Sequence, residues 1–367
     1  MQSYGGRIPD VRRIAVLRAN AIGDFLFTLP ALDALRAAYP DAEIVLLGQR
    51  WHEAFLAGRP GPVDRVIAIP RCRGVGEPED FVNDTDALDQ FFARMVEERF
   101  DLAIQLHGGG RYSNPFVHRL QSRFTVGLKS AEAAPLDRWM PYVYFQHEIP
   151  RYLEVVAMVG AGMVTLEPRV TLTDGDIREA AIVVPLDDAP LVVLHPGAGD
   201  PRRRWPPEKF AAVGDALAAA GARVAVVGAR EDERQVVEAV VDTMRASAEN
   251  LWEKLSLGGL AGLLDRCAVV VSNDSGPLHL AAAVDTPTVG IYWCFNLVNA
   301  GSLSRTLHRP QLSWRLECPV CGINCLADHC DHDASFVADL PVEQVIASAL
   351  ELLSGQAQSS DGVNAVP

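Results

Sequence analysis

The spacing of hydrophobic positions changes along this chain, and each change marks an element. Residues 14–17 (Ile-Ala-Val-Leu) form a short apolar run of the kind buried in a parallel sheet. Gly23 then permits a tight turn. From Phe25 onward Leu26, Leu29, Leu32 and Leu35 recur every three residues, which predicts a helix over 26–39. Strand-like runs follow at 43–47, 65–69, 102–106 and 125–128, with helical patterns such as 87–99 between some of them. This alternation predicts a mostly parallel sheet with helices on both faces.

A second cycle begins near Pro190. Residues 191–194 read as a strand, followed by the loop His195-Pro-Gly-Ala-Gly-Asp-Pro-Arg-Arg-Arg. Pro206-Pro207 opens a helix through Ala220, and Gly221 ends it. Strands at 223–227, 269–271 and 288–292 follow, with helices from about Glu231 and from Gly276-Pro277. The expected fold is therefore α/β, with two doubly wound halves joined between 173 and 189, where Asp, Pro and Gly cluster. The expected domains are 1–180 and 181–341. A helix over 342–354 is expected to pack back toward the first domain, and 355–367 to be a disordered Ser/Gln/Gly-rich tail. Two such halves facing each other would put both sets of strand ends against one central cleft, where ligands of open α/β sheets bind.

Composition narrows the classes of partner. The chain has 367 residues and a net charge of −14, which argues against nucleic acid or a bare anionic membrane as the main partner. An anionic ligand must then be held by local basic groups. Residues 1–13 have no apolar core, so no secretory signal is read there, and no run of ~20 uncharged apolar residues exists to span a bilayer. A soluble cytoplasmic protein is expected, with peripheral contact at the inner membrane left open.

Candidate chemistry gathers at the ends of strands. Asp24 lies where the first strand gives way to its helix, placed either to bond free N–H groups there or to present a carboxylate to a ligand. Gly197, Arg202, Arg203 and Arg204 share one loop before a helix, a combination suited to a diphosphate. Asp274, Ser275 and Gly276 precede the next helix. Ser275 with the N–H groups of Gly276 and Leu278 would cradle phosphate, and His279 either reaches the ligand or packs in the core. Glu231, preferred over Asp232 and Glu233, would grip ribose hydroxyls. On the first half, His107, Arg111 and Asn114 follow a strand in a loop with three consecutive glycines and would line an acceptor side.

Three segments carry a resemblance to a known family: Gly23-Asp24 with Thr28-Leu-Pro-Ala-Leu, His195-Pro-Gly-Ala with Arg203-Arg204-Trp205-Pro206, and Asp274-Ser-Gly-Pro-Leu-His-Leu-Ala-Ala-Ala. In order and spacing they resemble the ADP-heptose:lipopolysaccharide heptosyltransferases, glycosyltransferase family 9. The resemblance covers 14 to about 293 and the C-terminal helix. It implies a GT-B architecture of two Rossmann-like domains, with the acceptor in the first and the nucleotide-sugar in the second. It also implies inverting transfer to a lipopolysaccharide core or related glycan, with no cofactor required. By position Asp24 resembles the catalytic base, and Arg18 is placed with the acceptor residues. Arg203, expected to be catalytic together with Asp24, stands where family members often carry lysine, so donor identity is less firmly implied.

Cys318, Cys321, Cys325 and Cys330, with His329 and His332 nearby, form a cluster suited to structural zinc or an iron–sulfur group, or to free thiols. Other readings of the whole chain are a nucleotide-sugar epimerase or hydrolase and a non-catalytic nucleotide-sugar binding protein. A dinucleotide dehydrogenase fits less well, because no G-x-G-x-x-G follows a strand.

Overall fold

A computed structural model describes residues 5–328 and 330–361. His329 and residues 362–367 of the expected tail lie outside the described residues. The chain divides into two compact units, Met1–Thr171 and Leu172–Pro367.

The first unit holds β1 (Arg13–Leu17), α1 (Ile22–Leu26), α2 (Leu29–Ala38), β2 (Glu43–Gly48), α3 (Arg50–Leu56), β3 (Arg65–Ala68), β4 (Cys72–Arg73), β5 (Gly76–Glu77), α4 (Thr85–Glu97), β6 (Leu102–Gln105), α5 (Ser113–His118), β7 (Phe124–Lys129), β8 (Arg138–Pro141) and α6 (Glu148–Ala157). Its main sheet runs β3-β2-β1-β6-β7-β8, all parallel. The helix expected over 26–39 is α2, which begins at Leu29, with the short α1 ahead of it. Pro30 has no N–H to continue a ladder, so the chain turns at Phe27 and Thr28, where the Thr28 hydroxyl donates to the Phe25 carbonyl at 2.6 Å.

The second unit holds α7 (Asp174–Val183), β9 (Leu191–His195), α8 (Pro207–Ala219), β10 (Arg223–Gly228), α9 (Arg234–Thr243), β11 (Ala248–Trp252), α10 (Leu257–Asp265), β12 (Val269–Asn273), α11 (Gly276–Ala283), β13 (Thr288–Trp293), α12 (Cys294–Ala300), β14 (His308–Ser313) and α13 (Val342–Asp361). Its sheet runs β11-β10-β9-β12-β13-β14, again all parallel. Counted along each sheet, both units have the order 3-2-1-4-5-6 of a Rossmann-like fold. The switch points therefore lie beside the ends of β1 and β6 in one unit, and of β9 and β12 in the other.

Three expectations about domains change. The division falls after Thr171 rather than near 180, because α7 packs against α10: a Cβ on Gly262 would lie 2.4 Å from the Asp176 carbonyl. The C-terminal helix lies on the second unit, where Val345, Ala349, Leu352 and Leu353 share one core with Trp205, Phe210 and Phe336. That helix also continues through Asp361, so 355–361 is helical rather than a disordered tail. No helix among the described residues is long and apolar enough to cross a membrane.

Candidate active site

In the first unit the chain leaves β1 through Arg18, whose guanidinium is buried at 2% exposure and uses its donors on both flanking loops. Nε donates to the Asp24 carbonyl at 3.1 Å, Nη1 to the Leu106 carbonyl at 2.6 Å, and Nη2 to Asp24 Oδ1 at 2.9 Å. Asp24 sits in the first turn of α1, and its side chain keeps 38% exposure while that of Arg18 keeps 2%. The carboxylate is thus oriented by a rigid cation and still open to a ligand.

The other residues expected on the acceptor side divide. Arg18, as just described, is a buried strut of the Asp24 loop. His107 is also buried, and its Nδ1 accepts from Ala19 N–H at 3.2 Å, tying the ends of β6 and β1 together. Burial, then the nearby Arg18 charge, pushes its pKa down to about 3. Asn114 is fully buried, and its amide donates to the carbonyls of Leu128 and Ala134 at 3.1 and 2.7 Å. It braces the glycine loop, where Gly110 has φ +92° and a Cβ would strike the Asn114 amide at 2.5 Å. Arg111 alone of the four is well exposed, paired with Glu79 at 3.3 Å.

In the second unit each arginine of the loop after β9 has a carboxylate partner. Arg202 grips Asp200 through Nε and Nη2 at 2.8–3.1 Å. Arg204 bonds the Ala198 carbonyl and Asp232. Arg203 Nη1 donates to Asp274 Oδ2 at 2.9 Å, while its buried Nε has no partner among the described residues. Asp274, 2% exposed, also accepts from His279 Nε2 at 3.0 Å through Oδ1. Burial alone would raise its carboxyl pKa, but His279 and Arg203 outweigh burial and hold it below the usual range.

Ser275 precedes α11 in extended backbone, and its side chain does not cap the helix. Its hydroxyl lies 3.0 Å from His195 Nδ1 and 3.1 Å from the Ser272 hydroxyl. The Leu278 N–H expected to meet phosphate is instead bonded to the Ser275 carbonyl at 3.1 Å. On the far side of the imidazole, His195 Nε2 is 3.7 Å from Glu233 Oε1. Burial pushes the Glu233 carboxyl up, yet His195 and the N–H groups of Ala229 and Arg230 hold it below the ordinary range. Glu233 is therefore the inward carboxylate of its turn, and Glu231, chosen from the sequence, is exposed. Glu233 also lies against the loop: a Cβ on Gly197 would meet its Oε1 at 2.3 Å.

Sequence reasoning missed Asn273 and Glu148. Asn273 accepts from Trp205 N–H and donates to the Pro196 carbonyl, lashing β12 to the arginine loop. Glu148, the first residue of α6, receives Arg18 Nη2 at 3.2 Å.

Three of the four expected cysteines form one tight group with His332. Cys318, Cys321, Cys330 and His332 bring one ligand atom each to within 4.8 Å of one another. Cys325 lies beside them, its sulfur 3.9 Å from that of Cys330. Tetrahedral zinc with Zn–S bonds of about 2.3 Å needs ligand atoms about 3.8 Å apart, so these residues fit a metal after a small contraction. The N–H groups of Cys321 and Val320 bring the Cys318 thiol pKa down to about 6, while that of Cys321, against the pull of the Ile323 N–H, is raised by desolvation and the neighbouring Cys318 and Cys330 sulfurs.

Solved structures with this fold define the class. A glycosyl transferase family 9 protein from Veillonella parvula superposes with a TM-score of 0.75, covering 94% of this chain and 97% of that one at 21% identity. An ADP-heptose lps heptosyltransferase II from E. coli gives 0.74, covering 94% and 99% at 18% identity. These are GT-B folds, and the present chain has that fold. Residues 89–307 match the pattern of glycosyltransferase family 9 (heptosyltransferase), more than half of the sequence, and the chain belongs to that family of enzymes. Lipooligosaccharide heptosyltransferase 2 of Haemophilus influenzae is 26% identical over 301 residues, covering 76% of this chain and 82% of that protein.

Proposed function

We propose that this glycosyltransferase moves a heptose from ADP-heptose to a lipopolysaccharide core or related glycan, with inversion at the anomeric carbon. The observation that carries the role of Asp24 is its geometry: one carboxylate oxygen is fixed by buried Arg18, and the side chain remains partly open at the switch point of the first sheet. Asp24 takes the proton of the acceptor hydroxyl as that oxygen bonds to the anomeric carbon. The bond from that carbon to the diphosphate breaks on the opposite face, and its electrons go to the diphosphate. Arg203, whose buried Nε has no partner among the described residues, and the start of α11 at Ser275 and Gly276 supply donors for that charge. Asp274 and His279 hold Arg203 and the turn in place. Exposed Arg111 is left to meet an anionic acceptor. The names of the relatives support the donor and acceptor classes.

We also read Cys318, Cys321, Cys330 and His332 as ligands of a structural metal ion, which would brace the segment behind the arginine loop and take no part in the transfer. The enzyme on this reading works in the cytoplasm, at the inner membrane where a lipid-borne acceptor would be presented.

Asp24→Asn, assayed by ADP release from ADP-heptose with core oligosaccharide as acceptor, should lose about 10²–10⁴-fold in kcat. Its affinity for ADP should stay near that of the parent. Parental turnover by this variant would remove Asp24 from the role of base.

A further inference from the structure

Glu148 is a second carboxylate at the mouth of the first sheet, and the reaction as written gives it no part. Its side chain is 16% exposed and opens α6, where a helix start favours negative charge. Its Oε2 accepts from Arg18 Nη2 at 3.2 Å and from the Tyr152 hydroxyl, and its Oε1 accepts from Arg151. The same Arg18 Nη2 donates to Asp24 Oδ1 at 2.9 Å, so one nitrogen serves two carboxylates. Arg18 cannot swing toward either, because its Nε and Nη1 are fixed on the carbonyls of Asp24 and Leu106. The Tyr152 ring also packs 5.0 Å from the guanidinium.

We propose that Glu148 is a positioning residue for the transfer step, holding Arg18 between two carboxylates so that its charge is not given to Asp24 alone. A base locked one-to-one with a guanidinium is a poor acceptor for an incoming hydroxyl proton. Burial raises the Glu148 carboxyl pKa above its ordinary range against the pull of Arg18 and Arg151; in its ionised form it takes a share of the cation and adds negative charge near Asp24. The charged and titratable groups around it are Arg18 just after β1, Asp24 from α1, Arg151 and Tyr152 from α6, and Tyr142 from the segment before α6. His107, at the end of β6, faces Arg18 from another side. The inference rests on Asp24 being the base.

The test is the pH profile of kcat for Glu148→Gln, with ADP-heptose and core oligosaccharide. Losing the charge leaves Arg18 to Asp24. We expect kcat to fall about tenfold and the acid limb to move to lower pH by about half a unit, with ADP affinity unchanged. Tyr152→Phe removes a donor that favours the ionised form of Glu148, so it should move the limb the same way, to lower pH, by a smaller amount. That variant also serves if Glu148→Gln does not fold. A merely structural role would lower kcat or stability and leave the limb where it was. An unmoved limb in both variants, with Asp24→Asn inactive, overturns this inference alone; an active Asp24→Asn overturns the base itself.

Discussion

His107 shows how a residue can be legible in the sequence and yet be mistaken in role. It stands where an acceptor contact is expected, but its imidazole is sealed between the ends of two strands. Burial is the chief reason its pKa is pushed down to about 3 from an ordinary 6.5. The unfolded chain therefore takes up its proton first as the pH falls. The stability His107 contributes is complete above about pH 6.5 and is lost progressively toward pH 3. His52, also held down to about 3 chiefly by burial, acts in the same direction. Thermal midpoints should thus decline between pH 6.5 and 4. His107→Asn should lower the midpoint at pH 7, by about 1–3 kcal/mol of stability if the Ala19 N–H is left without an acceptor, and should flatten the decline. Equal slopes in parent and variant would show that His107 is not a source of the acid sensitivity. Asp24 and Asp274 could be found from the sequence because each lies within two residues of a glycine where a strand meets a helix. Glu148 could not be, because the partner that places it at the site is an arginine 130 residues away; Glu233 was among the candidates of its turn but was passed over for Glu231, since the sequence does not say which carboxylate points inward.

Elements were readable where burial on both faces demanded an unbroken apolar run. The central strands β1, β2, β6, β9, β10, β12 and β13 are of that kind. Three edge strands escaped. Arg138–Pro141, Ala248–Trp252 and His308–Ser313 each pair on one side only and carry polar residues or proline that an edge tolerates. Helix α10 escaped because its glycines, which let α7 approach closely, look like a loop in one dimension. The cysteine knuckle belongs to this scale as well. Spacing pointed to four thiols with His329 and His332 nearby; the fold draws Cys318, Cys321, Cys330 and His332 within 4.8 Å of one another and leaves the Cys325 sulfur 3.9 Å from that of Cys330. Elemental analysis of the purified chain should find about one zinc or iron per chain. His332→Ala and Cys321→Ser should lower that content and the thermal midpoint, and Cys325→Ser should leave both unchanged. Loss of metal in Cys325→Ser with retention in His332→Ala would restore the four-thiol set.

At the scale of the whole molecule, two sheets of identical order explain why the sequence reads as the same cycle twice, and why polar residues collect at corresponding strand ends in each. The boundary between them was misplaced because Asp, Pro and Gly over 173–189 suggest a linker. The segment instead starts a capped helix, with Thr173 and Asp176 bonding each other's backbone N–H. The matching of Arg202, Arg203 and Arg204 with Asp200, Asp274 and Asp232 reaches beyond local structure. A loop whose cations are already balanced casts little field into the solvent, and the protein around it carries a net charge of −14. A diphosphate would then be captured by short-range fit rather than drawn in from a distance. Stopped-flow association of ADP should accordingly hold steady or quicken as ionic strength rises, since screening weakens the overall repulsion. A steep slowing with salt would reveal long-range attraction that these ion pairs do not supply.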